Sequence, residues 1–208
     1  MRHAKPLSAA LLLAMAAIGT SASAAVIFTA NLTTDQETTP VLPTTQAGTP
    51  RPTPFGTASL SLNDAQTALS MSVTFNNIDV TGTQTADVND NLTLAHIHAP
   101  APPGVAAGVV WGFFGTPDND INPKNLVITP FASGVGGTMT SIWDQPEGNN
   151  TTLTAQLPNL FAGLSYLNLH TVQHPAGEIR GQIVPVPEPS TLALLGTSLL
   201  LLRLRRRA

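Results

Sequence analysis

Apolar and small polar residues alternate along the middle of the chain, and the alternation breaks at clusters of Gly, Pro and Asn. Side chains two apart on a strand share a face, so this period of two predicts half-buried strands. Residues 26–32, 56–62, 69–75, 92–98, 108–114, 126–128, 138–142, 153–156, 165–170 and 178–184 carry the pattern. Leu69, Met71, Val73 and Phe75 would share a buried face, and Asn63-Asp64-Ala65-Gln66 between two of the runs marks a hairpin turn. Only residues 158–164 read as a helical turn. Pro40, Pro43, Pro50, Pro52 and Pro54 interrupt the chain after the first run and predict an exposed excursion. Short strands at turn-marked intervals, without a long repeat, predict an all-β domain: an antiparallel β-sandwich or Greek-key barrel.

The two ends read differently. Arg2, His3 and Lys5 precede an apolar run over residues 7–18 and the small residues Ser21-Ala22-Ser23-Ala24-Ala25. That order is the export pattern, with cleavage expected after Ala24, so residues 1–24 are read as a signal peptide. Toward the other end Pro187-Glu188-Pro189 is followed by an apolar run to Leu202 and by Arg203, Arg205, Arg206 and Arg207. An Arg cluster holds such a tail at the cytoplasmic face and leaves the Pro-Glu-Pro motif at the opposite interface, where a membrane enzyme can cut. Residues 185–208 resemble the PEP-CTERM sorting signal. The resemblance implies recognition by an exosortase, removal of the tail after a transient membrane-inserted stage, and delivery to the surface or exopolysaccharide matrix of a Gram-negative envelope.

Charge changes the picture once the ends are set aside. The whole chain carries a formal net charge of −3, but residues 25–186 hold three cations (Arg51, Lys124, Arg180) against eleven carboxylates, a net −8. A domain this acidic repels nucleic acid. With no Cys, a disulfide framework, a thiolate metal site and a Cys nucleophile are excluded. Neither a Gly-x-Ser-x-Gly elbow nor a phosphate loop is present, so the expected role is non-enzymatic.

The candidate chemistry lies with histidine. His96 and His98 are two apart on a predicted strand and so point to one face; His170 ends another strand, and His174 follows in its turn. Neutral imidazole suits copper or zinc, and the four could converge on one ion if the two segments pair. Alternatively, the rings hydrogen-bond backbone and carboxylate groups and fix the loops around Pro100 and Pro175. Asp118-Asn119-Asp120-Ile121-Asn122 spaces oxygens like a calcium loop, but Pro123 stands where such a loop wants Gly. Glu178 and Arg180 alternate beside His174 as an ion pair or an acid-base couple. Trp111, Trp143 and Tyr166 are the larger aromatics able to stack on sugar.

Leu94-Ala95-His96-Ile97-His98-Ala99-Pro100, the segment from Tyr166 to Ile183 with its His174-Pro175-Ala176-Gly177-Glu178-Ile179-Arg180-Gly181 motif, and the hairpin over residues 56–75 resemble a CHRD domain. The resemblance spans residues 25–184. It implies an extracellular module. Together with the export signals, this leads to an expected structural or interaction role at the surface or in the matrix, with exopolysaccharide or surface proteins as partners. It carries no catalytic residues with it. The second reading is a histidine-ligated copper or zinc protein, or a metal-dependent redox protein.

Overall fold

The computed structural model describes residues 25–187. The signal peptide expected over residues 1–24 lies outside the described residues, as do Glu188, Pro189, the apolar run and Arg203, Arg205, Arg206 and Arg207; Pro187 is the last residue described. Among the described residues, no helix is long and apolar enough to cross a membrane.

The described residues form nine strands: β1 (Val26–Thr33), β2 (Phe55–Leu62), β3 (Ala68–Asn76), β4 (Leu92–His98), β5 (Val109–Phe114), β6 (Val127–Pro130), β7 (Gly136–Asp144), β8 (Ser165–Thr171) and β9 (Ile179–Pro185). They pair antiparallel in the order β5-β4-β8-β9-β1-β2-β3-β7-β6. Trp111 of β5 stacks on Trp143 of β7, with ring centroids 5.4 Å apart and planes 4° apart, although six strands separate their own strands in that order. The sheet therefore curls on itself and encloses one core, and the all-β antiparallel architecture expected from the alternation is the one observed.

On β2 and β3 the period of two is nearly unbroken. Leu60, Leu69, Met71, Val73 and Phe75 face inward, while Thr57, Ser59, Ser70 and Ser72 face solvent. Segments beyond the edge cover the exposed edge of β5. Asn149 donates from its backbone to Val110 O (2.8 Å) and from its side chain to Val109 O (3.1 Å), and Asn119 exchanges hydrogen bonds with Gly112. The buried Glu147 carboxylate accepts the backbone N–H groups of Ile121 and Asn122, and its carbonyl accepts Trp143 Nε1. An edge satisfied in this way offers no template for pairing with another chain.

Two expectations are corrected. Residues 153–156 are not a strand but the first turn of the helix α1 (Leu153–Phe161), which takes in the start of the helical turn read at 158–164. Thr152 caps it by accepting the Ala155 N–H at 3.3 Å, and Leu153, Leu157 and Leu160 recur at helical spacing on its buried face. A window of four residues is too short to separate the two periods. The proline-laden excursion is exposed on its outer side but tied down on its inner one. Arg51 forms a buried ion pair with Glu178 and donates to Asn77 O, while the Thr44 N–H donates to Gln173 Oε1.

Candidate metal centre

β4 and β8 are buried on both faces. Ala95, Ile97, Leu167 and Leu169 point into the core. The alternate positions, His96 and His98 on β4 and Tyr166, Asn168 and His170 on β8, lie on the outer face, where the register sets His96 opposite Asn168 and His98 opposite Tyr166. Loop residues 99–108 close over that face. Arg180 donates to Val105 O and Pro102 O, Gln182 Nε2 to Ala101 O, and the Ala107 N–H to Tyr166 Oη, so the loop is fastened to β8 and β9. Gly112 of β5 lets the chain fold back over His96, because a Cβ there would stand 1.9 Å from Pro117 O and 3.0 Å from His96 Cδ2.

Under this cover the rings of His96, His98 and His170 meet. Their centroids are 5.2 to 5.9 Å apart, and one nitrogen from each lies within 4.8 Å of the other two. All three residues are buried. Nδ1 of His98 is 3.0 Å from Ala107 O and Nδ1 of His170 is 3.0 Å from Pro175 O. A neutral ring that donates from Nδ1 leaves the Nε2 lone pair free for a metal, the arrangement in which an outer partner fixes the tautomer. Neither Nε2 has a hydrogen-bond partner. The Thr116 carbonyl lies near enough to His96 to favour its charged form, yet no hydrogen bond of ordinary geometry reaches either of its ring nitrogens.

Electrostatics keep the rings neutral. Burial, then the neighbouring His170 and His98, depress His96 to about 3. Burial depresses His98 to about 4, against a smaller opposing pull from the Ala107 carbonyl. Burial also lowers His170, opposed by the Pro175 carbonyl. Buried nitrogens without partners cost roughly 1–3 kcal/mol each, and hydrogen bonding to backbone or carboxylate accounts for only two of the six here. A cation at the centre would satisfy one nitrogen on every ring.

His174, expected as a possible fourth ligand, stands outside this group. The turn after β8 is closed by its N–H to Thr171 Oγ1 and its carbonyl to the Gly177 N–H, and carries the ring toward Arg51, whose charge adds to burial in lowering its pKa.

A model of the CHRD domain matches residues 28–183. The chain belongs to the CHRD domain family. A PEP-CTERM protein-sorting motif matches residues 185–207. That signal is recognised by an exosortase and directs the CHRD chain through the membrane to the cell envelope. No curated protein and no solved structure shows a match to it.

The remaining candidate residues of the CHRD chain take other partners. Asp118 pairs with Lys124, whereas Asp120 is fully buried and accepts the Asn125 N–H (2.8 Å) and Ser141 Oγ (2.7 Å), so the two carboxylates of the calcium-like spacing do not share a centre. Glu178 pairs with Arg51 and not with Arg180. Arg180 lies over the Tyr166 ring, 3.5 Å from its centroid, and Tyr166 stacks in turn on His98. This His98-Tyr166-Arg180 stack is the part that reading single motifs missed. The period of two in Tyr166-Leu167-Asn168-Leu169-His170 already places Tyr166 and Asn168 on the face of His170.

Glu37 reaches the same region. Burial pushes its carboxyl up to about 7, with Arg180 opposing and Glu178 reinforcing the shift. The folded state thus favours the protonated form. The resulting stability is complete below the ordinary value of 4.5 and is lost as pH rises through about 7. Glu37→Gln is expected to stabilise the fold by about 2 kcal/mol at pH 8 and to leave it unchanged near pH 4, as read from denaturant melts. An equal gain at both pH values would contradict the assignment.

Proposed function

We propose that this CHRD chain is a non-catalytic metal-binding protein of the cell surface, holding one copper or zinc ion through His96, His98 and His170. The observation that carries the reading is the trio of buried, neutral imidazoles, each offering one ring nitrogen within 4.8 Å of the other two, with Nε2 of His98 and of His170 free of hydrogen-bond partners. Such an ion ties β4 to β8 and seats the loops that reach them through Ala107 and Pro175. An exported protein meets these ions without competing thiols of its own. Titration calorimetry on the exported protein, stripped with a chelator, is expected to give one ion per chain with roughly micromolar or tighter affinity. Binding should vanish in His98→Ala and His170→Ala. Absence of heat with both ions would overturn the reading.

After exosortase removes the tail, the domain takes an interaction role in the exopolysaccharide matrix of a Gram-negative envelope. The outer face of β2, β3 and β7 favours this, since Thr57, Ser59, Ser70, Ser72 and Thr140 expose hydroxyl groups on one surface. Contact with polysaccharide then rests on hydrogen bonds, because Trp111, Trp143 and Tyr166 are all buried and offer no stacking platform. Retention on the native polysaccharide should exceed retention on an unrelated resin; equal recovery would remove this role.

A further inference from the structure

We propose that the centre of His96, His98 and His170 is built for copper in its monovalent state in preference to zinc(II). The inference rests on the metal-binding reading and concerns which ion the site takes. Three neutral imidazoles supply lone pairs but no negative charge, and no Cys, Asp or Glu joins the group among the described residues. The outer nitrogens of His98 and His170 face the carbonyls of Ala107 and Pro175 rather than carboxylates. A dication seated there keeps both charges uncompensated in a buried site, and the cost of desolvating an ion grows with the square of its charge.

The formal charge that does reach the site has the wrong sign for a dication. Tyr166 stacks on His98 with centroids 4.8 Å apart and planes 4° apart, and the Arg180 guanidinium lies 3.5 Å from the Tyr166 centroid. Arg180 is 1% exposed, and its hydrogen bonds to the Val105 and Pro102 carbonyls hold it in place. Its field repels a cation at the centre in proportion to the charge that cation carries. The carboxyl that acts on Arg180, Glu37, is held at about 7 by burial, so its compensating charge is only partly developed at neutral pH. Coordination number points the same way. Three nitrogens complete a shell for copper(I), whereas zinc(II) takes a fourth ligand, which no other His, Cys, Asp or Glu among the described residues supplies.

The test uses the exported protein, recovered from the envelope and freed of metal. Copper(I) is titrated anaerobically against a colorimetric copper(I) chelator, and zinc(II) separately against a zinc-responsive dye. Copper(I) is expected to bind one per chain, about 100-fold or more tightly than zinc(II), with Arg180→Gln narrowing the ratio about tenfold and Arg180→Lys preserving it. Zinc(II) bound as tightly as copper(I) through the same histidines overturns the preference and leaves the metal-binding reading standing. Failure of both ions to bind overturns both. Should Arg180→Gln not fold, the ratio in the unaltered protein decides.

Discussion

Arg51→Met is expected to destabilise the protein by about 3–5 kcal/mol, because it strands a buried carboxylate. Glu178 is fully buried, and the Arg51 guanidinium pairs with it across the junction between the proline-laden excursion and the turn that follows β8. Burial raises the Glu178 pKa, while the nearby Thr171 hydroxyl and the Arg51 charge lower it. Without Arg51 the raised value rises further, so the loss should shrink as pH falls and Glu178 takes up a proton. Removing both charges with Arg51→Met and Glu178→Leu should recover most of the stability, since a buried pair replaced by apolar groups is often close to neutral. Denaturant melts of the single and double variants check this. A single variant within about 0.5 kcal/mol of the parent would mean that the pair does not hold the excursion. The consequence extends to the centre, because the turn so anchored presents the Pro175 carbonyl to His170.

The second large effect is metal-dependent. At a thousandfold excess over its dissociation constant, one bound ion stabilises the folded state by about 4 kcal/mol. Copper or zinc is therefore expected to raise the melting temperature of the protein, and His96→Ala should abolish the rise. If the histidines only filled space, His96→Ala would change stability equally with and without metal. Acid acts on the same rings. With folded values of about 3 for His96 and about 4 for His98 against an ordinary 6.5, the stability of the neutral rings is complete above pH 6.5 and is lost as pH falls through those values. Metal-free protein should accordingly unfold more readily at pH 4 than at pH 7.

Much of the fold was legible because its strands keep a strict period of two. Leu69, Met71, Val73 and Phe75 are buried as the alternation required, and the run over residues 92–98 coincides with β4. Leu153 misled because Thr152, the capping residue before it, carries the helical signal, and the buried positions of α1 recur only over a longer window. Spacing alone puts His96 and His98 on one face of a strand. Their meeting with His170 depends on the β4–β8 register, a long-range pairing that no local pattern encodes. The departure of His174 follows from the turn at Thr171, and the placement of Arg180 over Tyr166 follows from β8 pairing with β9. Both are tertiary facts, and they separate a three-histidine centre from the four-histidine one that spacing allows.

The metal content of the exported protein decides between a metal centre and three structural histidines. Elemental analysis by mass spectrometry of the exported protein, purified without chelator or added histidine tags, measures this directly. Close to one equivalent of copper or zinc, lost in the His96→Ala, His98→Ala double variant, is the predicted result. A fully folded protein without metal, unable to take up either ion from solution, would contradict it.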